Sequence, residues 1–326
     1  MAKDAIQRIL VTGSLGQIGT ELVLELRRRH GAANIVASDV REPPKRLAES
    51  GPFENLDVTD RRQLLDICKR RRVEALFHLA AILSAKGEED PLRAWQINVS
   101  GLINALEVAR ELGLARVLCP SSIAVFGAGC PRSNTPQETV LKPTTMYGVT
   151  KVTGELLCDY YVRRFGVDAR GLRYPGIISS ETLPGGGTTD YAVEIFYRAV
   201  EGKRYKCFLA EHTRLPMMYM PDCIRATIAL FEADRARLVH HGDFNVASMS
   251  FSAGELAAAI RKRLPDFEVL FEPDHRQKIA DSWPQSIDDS AARREWGWRP
   301  SYDLESMTDD MLERLTARHK VGLLYH

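Results

Sequence analysis

The chain has only six cysteines, Cys68, Cys119, Cys130, Cys158, Cys207 and Cys223, with no C-x-x-C pair and no histidine cluster beside them. That scatter supports neither a disulfide framework nor a zinc site, so the expectation is no metal and reduced thiols in a reducing compartment. No apolar run approaches the roughly 18 residues that a membrane span requires. Strand-like sequence starts by Arg8, which reads as leaving no room for a signal or transit peptide, and the expected compartment is cytoplasmic. An excess of one charge is missing too: 44 basic residues against 43 acidic give a formal net charge of +1. Such a balance gathers neither nucleic acid nor an anionic membrane. The most basic stretch, Lys69-Arg70-Arg71-Arg72, reads as the solvated end of a helix before a strand. Internal repeats and low-complexity tracts are absent.

A length of 326 residues suits one large domain or two closely joined ones. Through the first half, short β-branched runs alternate with helix-period segments. Strands are expected at 8–12, 34–38, 75–79, 116–120 and 169–174, with helices at 19–29, 98–112 and 145–165. This alternation predicts βαβ units, hence an α/β fold with a doubly wound parallel sheet of the Rossmann type. After Tyr174 the rhythm is broken by Pro175, Gly176, Pro184 and Gly185-Gly186-Gly187. Residues 1–175 are therefore expected to form a dinucleotide-binding domain, joined by returning segments within 210–247. Residues 176–326 are expected to form mainly a smaller, interleaved substrate domain.

Gly13-Ser14-Leu15-Gly16-Gln17-Ile18-Gly19 follows a strand and opens a helix. Gly13 permits the tight turn, Gly16 lets backbone approach a pyrophosphate, and Gly19 lets helix and strand pack closely, with the helix N-terminus facing the phosphates. Asp39 comes 20 residues after Gly19, at the end of the second strand. A carboxylate there takes both ribose hydroxyls of NAD and repels the 2′-phosphate of NADP. Arg41, two residues on, argues the other way, but Asp39 holds the deciding position, and the expected cofactor is NAD. Asp57 is a candidate for the adenine amino group, or equally an N-terminal residue of the helix that follows.

Tyr147 and Lys151 stand four residues apart in a helical stretch, hence on one face. A free tyrosine ionises near pH ~10, too high for a base at neutral pH. A neighbouring ammonium and a nicotinium ring would both favour the phenolate. Alone the pair is common on surface helices. Ser121-Ser122, at the end of a predicted strand where the cofactor crevice lies, strengthens it, because a serine there can donate to a substrate oxygen as charge develops. Paired serines at a strand end can also simply satisfy a turn.

These motifs, with Asp57-Val58, His78-Leu79-Ala80-Ala81, Asn98-Val99-Ser100-Gly101 and Ser121 to Gly127, resemble the extended short-chain dehydrogenase/reductase family. The resemblance implies that Ser122, Tyr147 and Lys151 are the catalytic serine, tyrosine and lysine. It implies cofactor contacts from Gly13, Gly16, Gln17, Ile18, Gly19, Asp39, Asp57, Val58, Leu79, Ala80 and Ala81. Asn98 would hold an active-site water and the helix geometry, and Tyr174, Pro175 and Ile177 would lie against the nicotinamide, whose ribose Lys151 would hold.

Most extended members act on nucleotide sugars, and an arginine ahead of an aspartate-rich strand grips the diphosphate. Here Leu215 holds that place, with Arg214 adjacent, which argues for a smaller substrate. Other segments resemble the branch that oxidises L-threonine without zinc: Pro184 to Ala192, Leu215 to Asp222, and the tail from Trp283-Pro284 through Ile287-Asp288-Asp289-Ser290 to Trp296-Gly297-Trp298. That branch implies L-threonine as substrate, with Ser84, Ser121, Ser122, Tyr147, Gly187, Thr188 and Thr189 as its binding residues, and a homodimer built on the helices at 98–112 and 145–165. The Gly185–Gly187 run can equally be a flexible loop between domains. The alternative activity is a nucleotide-sugar 4-epimerase or dehydratase with tightly bound NAD.

Overall fold

The computed structural model describes residues 6–183 and 185–324; residues 1–5, Pro184 and residues 325–326 lie outside that description. Strand β1 (Ile9–Thr12) is wholly buried and leads through the glycine turn into helix α1 (Gln17–His30). Leu22, Val23 and Leu26 at helical spacing form the face of α1 that packs onto the sheet, while Arg27 to His30 complement the negative end of its dipole. β2 (Ile35–Asp39), β3 (Phe53–Asn55), α2 (Arg61–Arg71) and β4 (Ala75–His78) continue the alternation. Lys69, Arg70 and Arg71 fall in the last turn of α2, and Arg70 and Arg71 pair with Glu54.

A short helix, α3 (Ser84–Glu89), precedes a wide π-type turn at Gln96–Ser100 and helix α4 (Gly101–Leu112). The helix expected from residue 98 thus opens on the wide turn. Asn98, in that turn, brackets Ile82: its Oδ1 accepts the Ile82 N–H and its Nδ2 donates to the Ile82 carbonyl. Then come β5 (Arg116–Leu118), β6 (Ser121–Ser122), the long helix α5 (Met146–Phe165), β7 (Ala169–Arg170), β8 (Leu172–Tyr174) and β9 (Gly176–Ile178).

Six strands pair in the order β3-β2-β1-β4-β5-β7, all parallel. Pairing stops at Cys119-Pro120, where proline has no N–H to give, and resumes as β6 against β8. The returning segments join here. Phe244–Asn245 pairs with β8, and Arg214–Tyr219 runs parallel to β9 and antiparallel to Met249–Ser252, so both enter small three-stranded sheets beyond the main one. Three apolar clusters fill the layers, one on each face of the main sheet and one under the helix Tyr191–Val200, the Arg214–Tyr219 strand and the C-terminal helix Leu304–Lys320. Among the described residues no helix is long and apolar enough to cross a membrane.

Candidate active site

The carboxyl ends of the parallel strands open one cleft, where ligands of such sheets bind. At its cofactor end Gly13 has φ 66°, and a Cβ there would lie 2.5 Å from the Ala80 nitrogen. A Cβ on Gly19 would lie 2.3 Å from the Gly13 carbonyl oxygen. Only glycine allows these approaches, which bring the start of α1 and the Leu79-Ala80 segment close against the loop. The first turn of α1 has neither a capping side chain nor an acidic residue. Beside it, the buried Ser14 Oγ and Gln17 Nε2 have no hydrogen-bond partner among the described residues. A helix N-terminus with unmatched donors fits a pyrophosphate.

Asp39 is buried at the end of β2. It accepts hydrogen bonds from the Leu15 N–H (3.1 Å), the Arg41 N–H (3.2 Å) and the Arg41 side chain (3.0 and 3.2 Å). Burial works against its charged form, but the Arg41 and Leu15 donors outweigh it and hold the carboxyl below its usual range. Arg41 is thus already engaged by the acid that would select NAD. Asp57 is exposed, and its Oδ1 accepts from the N–H and hydroxyl of Thr59, so it caps its own turn. Val58 is buried against Gly101. Leu79, Ala80, Ala81 and Ile18 are partly exposed along the cleft floor, whereas Tyr174 turns inward and bonds Thr227.

Thr145 caps α5 by accepting the Gly148 N–H at 3.1 Å, which places Tyr147 in the first turn. Lys151, one turn on, donates to the Pro120 carbonyl at 2.7 Å and lies 5.5 Å from the centre of the Tyr147 ring. Asn98 Nδ2 reaches Thr150 Oγ1 at 3.0 Å, tying the wide turn to α5. Ser122 Oγ accepts the Ala124 N–H at 3.2 Å, leaving its own proton for the phenol. One difference from the sequence expectation is electrostatic. Part of the Tyr147 ring faces the cleft, yet dense packing desolvates its hydroxyl and pushes the phenol up to about 12, against a smaller downward pull from Ser122. The same desolvation brings Lys151 down to about 8.

Across the cleft, Ser84 Oγ and Thr188 Oγ1 lie 3.3 Å apart, both buried. Thr189 packs against Gly176, where a Cβ would meet its side chain at 2.7 Å. Gly187 and Gly186 donate their N–H groups to Asp190 at 2.7 and 2.9 Å. Burial pushes the Asp190 carboxyl up to about 6. Sequence reasoning passed over Asp190, although an acid two or three residues beyond a glycine turn is a recognisable turn anchor. It also missed the destination of Ser121, whose hydroxyl donates to Glu155 at 2.5 Å, inside the protein. Among the described residues no cluster of three His, Cys, Asp or Glu side chains could hold a metal.

A glycine-lined dinucleotide cradle next to a serine, tyrosine and lysine on facing elements defines a class. The chain belongs to the NAD dependent epimerase/dehydratase family, whose model matches residues 9–247. Within that class its likenesses are narrower. It is 52% identical to the L-threonine dehydrogenase of Clostridium difficile, with a TM-score of 0.94 over 96% of this chain and 98% of that one. It is 49% identical to a monomeric L-threonine 3-dehydrogenase from a metagenome, with a TM-score of 0.92 over 95% and 99% of the two chains. An uncharacterized epimerase/dehydratase of Staphylococcus haemolyticus is 50% identical over 97% of this chain and 99% of its own length.

Proposed function

We propose that this protein is an NAD-dependent, zinc-independent dehydrogenase that oxidises the C3 hydroxyl of L-threonine to 2-amino-3-oxobutanoate. The observation that carries the choice of a small substrate lies at residues 214–215. Leu215 is fully buried, and Arg214 is engaged by the Ser250 carbonyl and the Glu255 carboxylate. A diphosphate would meet no unpaired cation there, which disfavours the nucleotide-sugar reading. The likeness to L-threonine dehydrogenases over nearly the whole chain points the same way.

The glycine loop, Gln17 and Asp39 would hold NAD, which supplies a hydride acceptor when bound. Ser122 donates a hydrogen bond to the substrate's C3 oxygen, and Tyr147 takes the proton from that oxygen. A phenol near 12 is a poor base by itself, and a cation beside it favours the phenolate. Lys151 is one such cation and would also hold the nicotinamide ribose. Ser84 on α3, with Thr188 and Thr189 on the turn that Asp190 anchors, would take the carboxylate or ammonium of the amino acid. Residues 1–175 would thus serve the cofactor and 176–326 mainly the substrate. The exposed Ile103 on α4 with Leu156 and Tyr160 on α5 would form the face of a homodimer, which light scattering reads directly. Free, mostly buried thiols suit a reducing, cytoplasmic setting.

Reduced nicotinamide should accumulate when the protein is mixed with NAD and L-threonine, and not with NAD and UDP-glucose. Turnover of the sugar nucleotide without net reduction, and silence with threonine and other 3-hydroxy amino acids, would overturn this reading. Removing the charge of Asp39 (Asp39→Ala) should raise the Michaelis constant for NAD by about ten- to a hundredfold, the worth of hydrogen bonds to a charged group. It should also release Arg41 to accept the 2′-phosphate of NADP. A variant that still prefers NAD by the wild-type ratio contradicts this role for Asp39.

A further inference from the structure

Beneath the cleft lies a buried polar hub that takes no part in the steps above. Glu155 sits on α5 one turn beyond Lys151. Its carboxylate accepts from Arg173 Nε and Nη2, both at 2.8 Å, and from Ser121 Oγ at 2.5 Å. Arg173, equally buried, also donates to the Gln137 carbonyl (2.9 Å) and Asn245 Oδ1 (3.2 Å), and lies 3.7 Å from Asp243. Buried ion pairs add little net stability, and apolar replacements often serve as well. What this pair does fix is geometry, because it ties together β6 through Ser121, α5 through Glu155 and β8 through Arg173. Successive strand residues face opposite sides, so anchoring Ser121 inward turns Ser122 toward Tyr147.

A second observation links the hub to the lysine. Glu155, Ser121 and Lys151 line one small, partly open cavity of about 20 Å³, together with His78, Cys119 and Thr150.

We propose that Glu155 is a positioning residue for the reaction. Through Ser121 it sets Ser122 against Tyr147, and across the shared cavity it keeps the Lys151 ammonium charged. The proposal rests on the reading of Tyr147 and Lys151 given above. The groups that face Lys151 are Tyr147, Glu155 and Cys158 from α5, Cys119 from the end of β5 and His78 from β4. The Cys158 side chain, with burial, holds the Cys119 thiol neutral and well above its usual range, and burial holds the His78 imidazole neutral, at about 3. Cys119, Cys158 and then Glu155 oppose the desolvation of Lys151, and Glu155 is the one carboxylate among them. Its own charge is opposed by burial and upheld by Arg173. A lysine whose value is lowered loses its cation as pH rises through that value, so loss of Glu155 moves the loss of activity to lower pH.

The test compares wild type with Glu155→Gln, Glu155→Asp and Ser121→Ala, following threonine oxidation against pH and, separately, NADH binding against pH by fluorescence. Glu155→Gln should lower kcat on the order of tenfold and move the alkaline limb of both profiles down by about one pH unit. Glu155→Asp, which keeps the charge, should restore the limb. Ser121→Ala should lower kcat several-fold with the limb unmoved. A folded Glu155→Gln protein with the wild-type limb overturns the proposal, as does a loss of activity that only tracks its loss of folded fraction. If Glu155→Gln does not fold, Ser121→Ala decides, and wild-type kcat in that variant overturns the positioning role. If the wild-type protein oxidises no threonine, the substrate reading fails, while the NADH-binding profile still reads Glu155.

Discussion

Replacing Tyr147 by phenylalanine is expected to lower threonine-dependent NADH formation by about 10²- to 10⁴-fold, the usual worth of a positioned acid–base group. NAD affinity should stay within about twofold, since the change removes one oxygen and keeps the ring that packs beside Lys151. The reason for so large an effect is that no other side chain can take over. Lys151 is committed to the Pro120 carbonyl, and Ser122 accepts the Ala124 N–H. Ser122 also has too high an intrinsic value to act as base unaided. Near-normal turnover in the phenylalanine variant, measured with saturating NAD, would remove Tyr147 from the chemistry. Substrate binding should weaken only modestly, so the loss should appear in kcat. A loss confined to KM would assign Tyr147 to binding alone.

Gly148→Ala is the second change expected to be severe, although it touches neither ligand nor charge. A Cβ on Gly148 would stand 2.3 Å from the Ala124 carbonyl oxygen and 2.5 Å from the Pro143 Cβ. Both neighbours are held: Ala124 lies in the short turn capped by Ser122, and Pro143 leads into the Thr145 cap. The clash can be relieved only by moving the start of α5 away from the segment that carries Ser122. That shift separates Tyr147 from Ser122, and a displacement near 1 Å in such a pair costs about a hundredfold in rate. Helix propensity pulls the other way, since alanine is favoured over glycine inside a helix by about 1 kcal/mol. Folding by circular dichroism should therefore be retained while kcat/KM collapses. Undiminished kcat/KM in Gly148→Ala would show that the close approach of α5 to residues 122–124 does not set the chemistry.

Much of the cofactor end was readable along the chain, because its determinants are local. The strand ending at Thr12, the glycine turn and Asp39 each follow from a short-range rule of sterics or spacing. The cap at Thr145 and the stop at Gly166, with φ 73°, bound α5 where turn chemistry places them. Family likeness implies that Ser84 and Thr188 bind one substrate, but that their hydroxyls meet, 104 residues apart in the chain, follows from no local pattern.

The remainder depended on which residues meet. Ser121 and Ser122 are chemically identical neighbours, and only the position of Glu155, 34 residues on, assigns one to the hub and leaves the other to the phenol. In the sequence Arg214 is a cation beside the place of a missing one, and only the fold brings it to its partners, the Ser250 carbonyl and the Glu255 carboxylate. The direction of the Tyr147 shift reversed for the same reason. In the sequence, Lys151 is the nearest charge and should lower the phenol, but in the fold burial around the hydroxyl raises it against only a smaller pull from Ser122, and burial is a sum over distant segments.

By itself, then, the sequence determined the alternation of strands and helices, the glycine cradle, the acid at the end of β2 and the tyrosine–lysine spacing, all set by backbone sterics and residue periodicity within a turn or two. The tertiary structure alone decided how Ser122 and Tyr147 face each other, which buried carboxylate stands behind them and how far desolvation moves their proton affinities. Those quantities depend on packing between residues far apart in the chain, where neither periodicity nor propensity carries information.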